Sequence, residues 1–172
     1  LNKFLDKTYG GVYWSGDAAG KPADTKKQFY ALGFAIYGLS EYARATGDER
    51  ALREAIGLFR AIEEHSYDAV NNGYEEAAAR DWSPIDDVRL SDKDANEKKT
   101  MNTHLHILEA YTNLLRIWPD EGLRRQTRNL LEIFLSRIVQ PQNGHLGLFF
   151  DDRWQLKSAG CFSYGHDIEA SR

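Results

Sequence analysis

Apolar residues recur at three- and four-residue spacing along most of this chain, the pattern of amphipathic helices. The run Leu52, Ile56, Phe59 and Ile62 is the clearest instance. Leu1 to Lys7 reads as the tail of a helix, followed by a turn around Gly10-Gly11. Thr25 with Gln28 forms a capping-box pattern, so a helix is predicted from there to about Thr46. Gly47 suits its C-terminus, and Asp48 suits the N-cap of the next helix, which runs to about His65. Asn71-Asn72-Gly73 and Ser83-Pro84 mark a loop from Tyr67 to about Asp92. A third helix is predicted over roughly Lys98 to Ile117, and a fourth from Pro119-Asp120 to about Val139. Pro141 and Gly144 interrupt the pattern, and a last helix starts near Gly165.

A unit recurs within this order. Each helix pair is accompanied by a short Gly- and aromatic-rich segment: Gly10-Gly11-Val12-Tyr13-Trp14, Asn72-Gly73-Tyr74 and Gly144-His145-Leu146-Gly147-Leu148-Phe149. Helical hairpins repeating every sixty to seventy-five residues or so predict a solenoid or a closed α/α toroid, in which each hairpin buries one face on its neighbours. Both ends fall inside predicted helices. The expectation is therefore a single incomplete domain over residues 1–172, excerpted from a longer protein.

Composition narrows the function classes. Of the residues, 42% are hydrophobic and 28% charged, as in an ordinary soluble globular domain. The formal net charge is -4 and the basic residues are scattered, which argues against a nucleic-acid surface. No apolar run approaches the roughly 20 residues of a membrane-spanning helix. No signal-peptide pattern is present at Leu1, and the single Cys161 has no internal disulfide partner, so a cytoplasmic protein is expected. Aromatics make up 12% and cluster near the Gly-rich turns. Flat apolar faces beside polar groups suit sugar rings, and they equally suit helix packing.

Two stretches could carry chemistry. In Met101 to Tyr111, His104 and His106 are separated by about 200° on a helix, so they cannot easily chelate one metal. No metal held by His104, His106 or Glu109 is expected. His104 shares its stripe with Leu108, Tyr111, Leu115 and Trp118 and reads as a packing histidine. His106 shares its stripe with Asn102, Glu109 and Asn113. A polar stripe on a buried helix is costly unless it is paired or lines a cavity, and both outcomes stay open here. In Ser163 to Ser171, His166 and Glu169 stand at i and i+3 and can meet on one face. They read either as a carboxylate-tuned general base or as a surface ion pair at a helix start. The adjacent carboxylates Glu75-Glu76, Asp86-Asp87 and Asp151-Asp152 read as solvated loop charge, since a glycosidase needs its pair opposed across a bond. There is no P-loop, no dinucleotide fingerprint, no C-x-x-C and no nucleophile elbow.

The segments Lys99-Thr-Met-Asn-Thr-His-Leu-His-Ile-Leu-Glu-Ala-Tyr111 and Ser163-Tyr-Gly-His-Asp-Ile-Glu-Ala-Ser171 resemble signatures of cellobiose 2-epimerases. Lys27-Gln-Phe-Tyr-Ala31, leading into Ala35-Ile-Tyr-Gly-Leu-Ser-Glu-Tyr42, is similar to a third segment of the cellobiose 2-epimerase and N-acylglucosamine 2-epimerase family. The resemblance spans essentially the whole chain. It implies an all-α fold, part of an (α/α)6 barrel. It also implies cofactor- and metal-independent epimerisation at C2 of a reducing-end glucose, giving mannose, in a disaccharide such as cellobiose. By motif position it makes His166 one of two proton-transfer histidines, with Glu169 its partner. His106 becomes the ring-opening histidine, Asn102 the sugar-binding amide and Tyr13 a substrate contact. The sequence departs from the pattern where the family has Trp-Leu after Glu-Ala-Ser. The family's second proton-transfer His and a substrate-binding Arg match no residue of this chain, so the chain alone is expected to be inactive. An aldose–ketose isomerase, an N-acylhexosamine 2-epimerase and a non-catalytic carbohydrate-binding module are the alternatives.

Overall fold

The computed structural model describes residues 3–158 and 160–171. The N-terminal helix tail expected at Leu1 to Lys7 is absent over its described part, and Leu1 and Asn2 lie outside the described residues. A hairpin takes its place, with Leu5 bridged to Val12. Its cause is local. One Asp6 carboxylate oxygen accepts the N–H groups of Thr8 and Tyr9, and Gly10 and Gly11 sit at φ 78° and 71°, where a side chain would be strained. Strands β1 (Ser15–Gly16) and β2 (Pro22–Asp24) pair next.

Helix α1 (Phe29–Thr46) starts later than the capping-box pattern predicts. Lys27–Gln28 is instead strand β3, paired with β4 (Ala77–Ala78). Gln28 occupies the N-cap position without capping, because its side-chain amide donates to the carbonyls of Val88 and Arg89. Gly47 closes α1 at φ 74°, and Asp48 caps α2 (Glu49–His65) by accepting from Arg50 and Ala51. Strand β5 (Lys99–Thr100) pairs with β6 (Phe149–Phe150), and the Thr100 hydroxyl accepts from Thr103 to start α3 (Met101–Leu115). Asp120 caps α4 (Glu121–Ile133). A π-helical turn, Phe134–Ile138, extends α4, and the Val139 N–H reaches back five residues to the Phe134 carbonyl. This wider turn buries both Phe134 and Ile138. The short α5 (Tyr164–Ala170) follows.

Helix α1 lies along both α2 and α3. At their crossing, a Cβ added to Gly33 would stand 3.2 Å from the His106 carbonyl oxygen, so glycine brings the backbone of α1 onto that turn of α3. Phe29, Leu32, Ile36, Leu58, Ile62, Tyr111 and Leu114 form the core between the three helices. A second core unites Met101 and Leu105 with Ile133, Phe134, Leu146 and Phe150.

The sequence repeat is a structural repeat. The bridges Leu5–Val12, Tyr67–Tyr74 and Val139–Leu146 close three equivalent hairpins. Lys27 is fully buried and donates to Asp6 and to the Gly10 carbonyl; Lys99, 72 positions later, is fully buried and donates to Asp68 and to the Asp152 carbonyl. Trp82 lies under Gly11 and Trp154 under Gly73, both tryptophans at positive φ. These two aromatics are therefore packing elements of the repeat.

Candidate active site

The N-terminal turns of α3 and α5 face each other across a cavity of about 230 Å³. Thr100 and Asn102 line it from α3, Ser163 and His166 from α5, and Arg89, Lys93 and Asp94 from the loop before β5. The Asn102 side-chain oxygen is buried and has no hydrogen-bond partner among the described residues. A buried amide oxygen without a donor costs free energy, which a ligand hydroxyl would recover.

His106 stands one turn along α3 from Asn102. Its Nδ1 is 2.8 Å from a Glu109 carboxylate oxygen, and its ring packs on Phe34 at 4.6 Å and edge-on to Tyr30 at 5.0 Å between centroids. From α5, His166 holds Nδ1 2.6 Å from the Ser163 hydroxyl. The expected Glu169 contact is therefore not the bond that orients His166; Ser163 provides it. Even so, one polar atom from each of His106, His166 and Glu169 lies within 4.8 Å of the others. These three residues form the one grouping among the described residues able to converge on a cation. The angular separation of His104 from His106 on one helix does not constrain this set, because α5 supplies His166 and Glu169. Both Nδ1 atoms are thus engaged by neighbouring side chains, Glu109 for His106 and Ser163 for His166.

His104 is set apart from this site. It is fully buried, with Nδ1 2.7 Å from the Thr100 carbonyl and Nε2 accepting the Tyr74 N–H at 3.0 Å. Burial pulls its pKa down to about 4. Tyr13 lies in an adjacent groove of about 360 Å³ with Trp14, Tyr30 and Phe34. Its hydroxyl accepts from Arg80 at 3.2 Å, and its ring lies beside the Lys27 ammonium. Tyr30 lines this groove and packs edge-on against His106. Burial raises its phenol pKa, and the nearby Glu169 and Glu109 charges add to the rise.

Sequence reasoning missed Tyr30, Phe34, Ser163 and Glu76. The repeat held a signal for two of them. Tyr30 and Phe34 stand 72 residues before Asn102 and His106, so the first unit carries an aromatic pair where the second carries a polar one. Glu76 corrects the solvated-loop reading of Glu75-Glu76. Its side chain is 1% exposed, accepts from Thr100 and Thr103, and lines the cavity. Asp86 and Asp87 are exposed as expected, and Asp151 caps its own turn by accepting from Arg153 and Gln155.

Residues 1–172 match the family profile of N-acylglucosamine 2-epimerase (GlcNAc 2-epimerase). The chain belongs to the N-acylglucosamine 2-epimerase family. Within the family it is 59% identical over 171 residues to a cellobiose 2-epimerase of Bacteroides fragilis, covering 99% of this chain and 43% of that protein. It is 42% identical to the cellobiose 2-epimerase of Ruminococcus albus, with 99% and 43% covered. The solved cellobiose 2-epimerase of Bacillus thermoamylovorans superposes with a TM-score of 0.93 at 40% identity, over 98% of this chain and 43% of that one. The chain is thus part of an (α/α)6 barrel, and it spans less than half the length of the curated relatives it matches. No helix among the described residues is long and apolar enough to cross a membrane.

Proposed function

We propose that these residues supply one proton-transfer face of a sugar 2-epimerase whose single barrel domain extends beyond this chain. The observation that carries the reading is the convergence of His106, His166 and Glu169 beside the unpartnered Asn102 oxygen. His166 Nε2 takes the C2 proton of the open-chain aldose, while its Nδ1–H donates to Ser163. The C2–H electron pair forms the C1–C2 double bond and the carbonyl becomes the enediolate oxygen. Glu169 faces the imidazolium that results. His106, held in orientation by Glu109, moves the proton between O1 and the ring oxygen during ring opening. Asn102 accepts from a sugar hydroxyl. Returning the proton to the opposite face of C2 inverts the centre, and that step needs a second donor, which we assign to a histidine outside this chain. The relatives' names favour a disaccharide such as cellobiose, and the product is its 2-epimer with mannose at the reducing end.

The test is deuterium incorporation at C2 of cellobiose in heavy water, read by NMR, for the full-length protein, its His166→Asn variant and the isolated 172-residue chain. Exchange should occur in the first. It should fall by at least about 10²–10⁴ in the variant and be absent from the isolated chain. Wild-type exchange in the variant would remove His166 from the mechanism. A ketose product would mean isomerisation, exchange only with N-acylhexosamines would move the substrate, and loss on chelation would bring in a metal. Sugar binding without exchange would make the chain a binding module.

A further inference from the structure

Glu76 is a fully buried carboxylate that the mechanism above does not use. It sits where three elements meet. Its N–H donates to the Lys98 carbonyl and its carbonyl accepts the first N–H of α1, from Phe29. Its side chain turns the other way, onto the start of α3. One oxygen accepts the Thr100 hydroxyl at 2.7 Å and the other accepts the Thr103 hydroxyl at 2.8 Å. The Thr100 oxygen in turn accepts the Thr103 N–H at 3.0 Å, which closes the cap of α3. Asn102 lies between these two threonines in sequence, and its side-chain oxygen is the buried atom left without a partner.

Burial of a carboxylate is costly, and burial raises the Glu76 pKa to about 7 while the two threonine hydroxyls oppose the rise. A helix cap needs no such group. Asp48 and Asp120 cap α2 and α4 with a single side chain each. What distinguishes α3 is that its first turn carries Asn102 and leads directly to His106.

We propose that Glu76 is a positioning residue: its two oxygens clamp Thr100 and Thr103 and thereby fix the turn from which Asn102 reaches the sugar. The proposal rests on the epimerase reading for its kinetic consequence and on the structure alone for its geometric one. Glu76→Gln keeps the shape but replaces one acceptor by a donor, so one hydroxyl must turn away. Thr103→Val removes one half of the clamp and leaves the carboxylate in place.

In the full-length protein, Glu76→Gln should lower kcat/KM for cellobiose epimerisation about ten- to a hundredfold, the size of effect that small misplacements of a site produce. In an Asn102→Ala background the same change should cost less than about threefold, because the group it positions is gone. Thr103→Val should behave in the same direction, and it serves if Glu76→Gln does not fold. A purely structural carboxylate would give equal losses in both backgrounds, and that result, or no loss at all, would overturn the proposal. A wild-type protein that does not exchange C2 would overturn the epimerase reading instead. In that case the Asn102 side-chain amide resonances, assigned by their loss in Asn102→Ala, decide the geometric claim. They should shift in Glu76→Gln, and unmoved resonances would refute the clamp.

Discussion

Two histidines two positions apart in one helix have opposite fates. His104 faces the core, where both nitrogens are satisfied by backbone and burial keeps the ring neutral. His106 faces Tyr30 and Phe34 with a carboxylate on Nδ1. The buried ring has a consequence for stability. Above the ordinary value of 6.5, His104 is neutral in both folded and unfolded chains, and its full contribution is present. As pH falls from 6.5 to about 4, the unfolded chain takes up a proton that the folded one refuses, and stability is lost, up to about 3 kcal/mol. Glu76 acts in the opposite sense. Its stabilisation is full below 4.5 and is lost as pH rises through about 7. Comparing wild type with His104→Gln cancels the Glu76 contribution. The melting-temperature advantage of wild type over His104→Gln should shrink steadily between pH 7 and pH 4.5. A constant difference would mean that His104 is not held neutral.

At the scale of elements, the decisive contact is that of α1 with α3. Gly33 costs α1 about 1 kcal/mol of helix propensity relative to alanine. It is also the point where a Cβ would meet the His106 carbonyl oxygen at 3.2 Å and its carbon at 3.4 Å. Gly33→Ala should therefore gain propensity and lose close packing, two terms of similar size. The expected outcome is a melting temperature within a few degrees of wild type. The turn carrying His106 must nevertheless shift by a few tenths of an ångström. Deuterium exchange at C2 should fall about tenfold or more in the full-length protein. An unchanged exchange rate would show that this crossing does not set the site.

For the whole molecule, the buried lysines tie one repeat to the next. Lys99 is fully buried, and its ammonium joins Asp68 of one hairpin to the Asp152 carbonyl of the following unit. Its contact with Asp68 holds that carboxyl below its ordinary value, against the opposing effect of burial. Lys99→Met fills similar volume but leaves Asp68 without its cation. A loss of about 3–5 kcal/mol is expected in denaturant unfolding, the range for breaking one partner of a buried pair. A loss under about 1 kcal/mol would mean that solvent reaches the pair and that the repeat is held by Trp154 and the apolar core alone. The same units leave Leu131 and Leu135 49% and 75% exposed. In the preceding unit, the position equivalent to Leu131 is Phe59, which is covered by Tyr111 and Trp118.

The helices, their caps at Asp48 and Asp120, the stop at Gly47 and the three Gly-aromatic hairpins were determined by the sequence alone. These features depend on residues within about four positions of one another. The same locality explains the errors at the expected N-terminal helix tail and at the start of α1. Leu1 to Lys7 has helical apolar spacing, but the Asp6 turn overrides it. Thr25-Gln28 has the form of a capping box, but Gln28 finds better partners in Val88 and Arg89, sixty residues away. Periodicity also separated His104 from His106, because an angle on one helix is a local quantity. It could not bring His166 to His106, lay Tyr30 and Phe34 on that ring, or bury Glu76 under α3. Each of those placements joins segments that are distant in sequence, and the free energy of burying apolar surface between helices, which has no local signature, decides which segments meet.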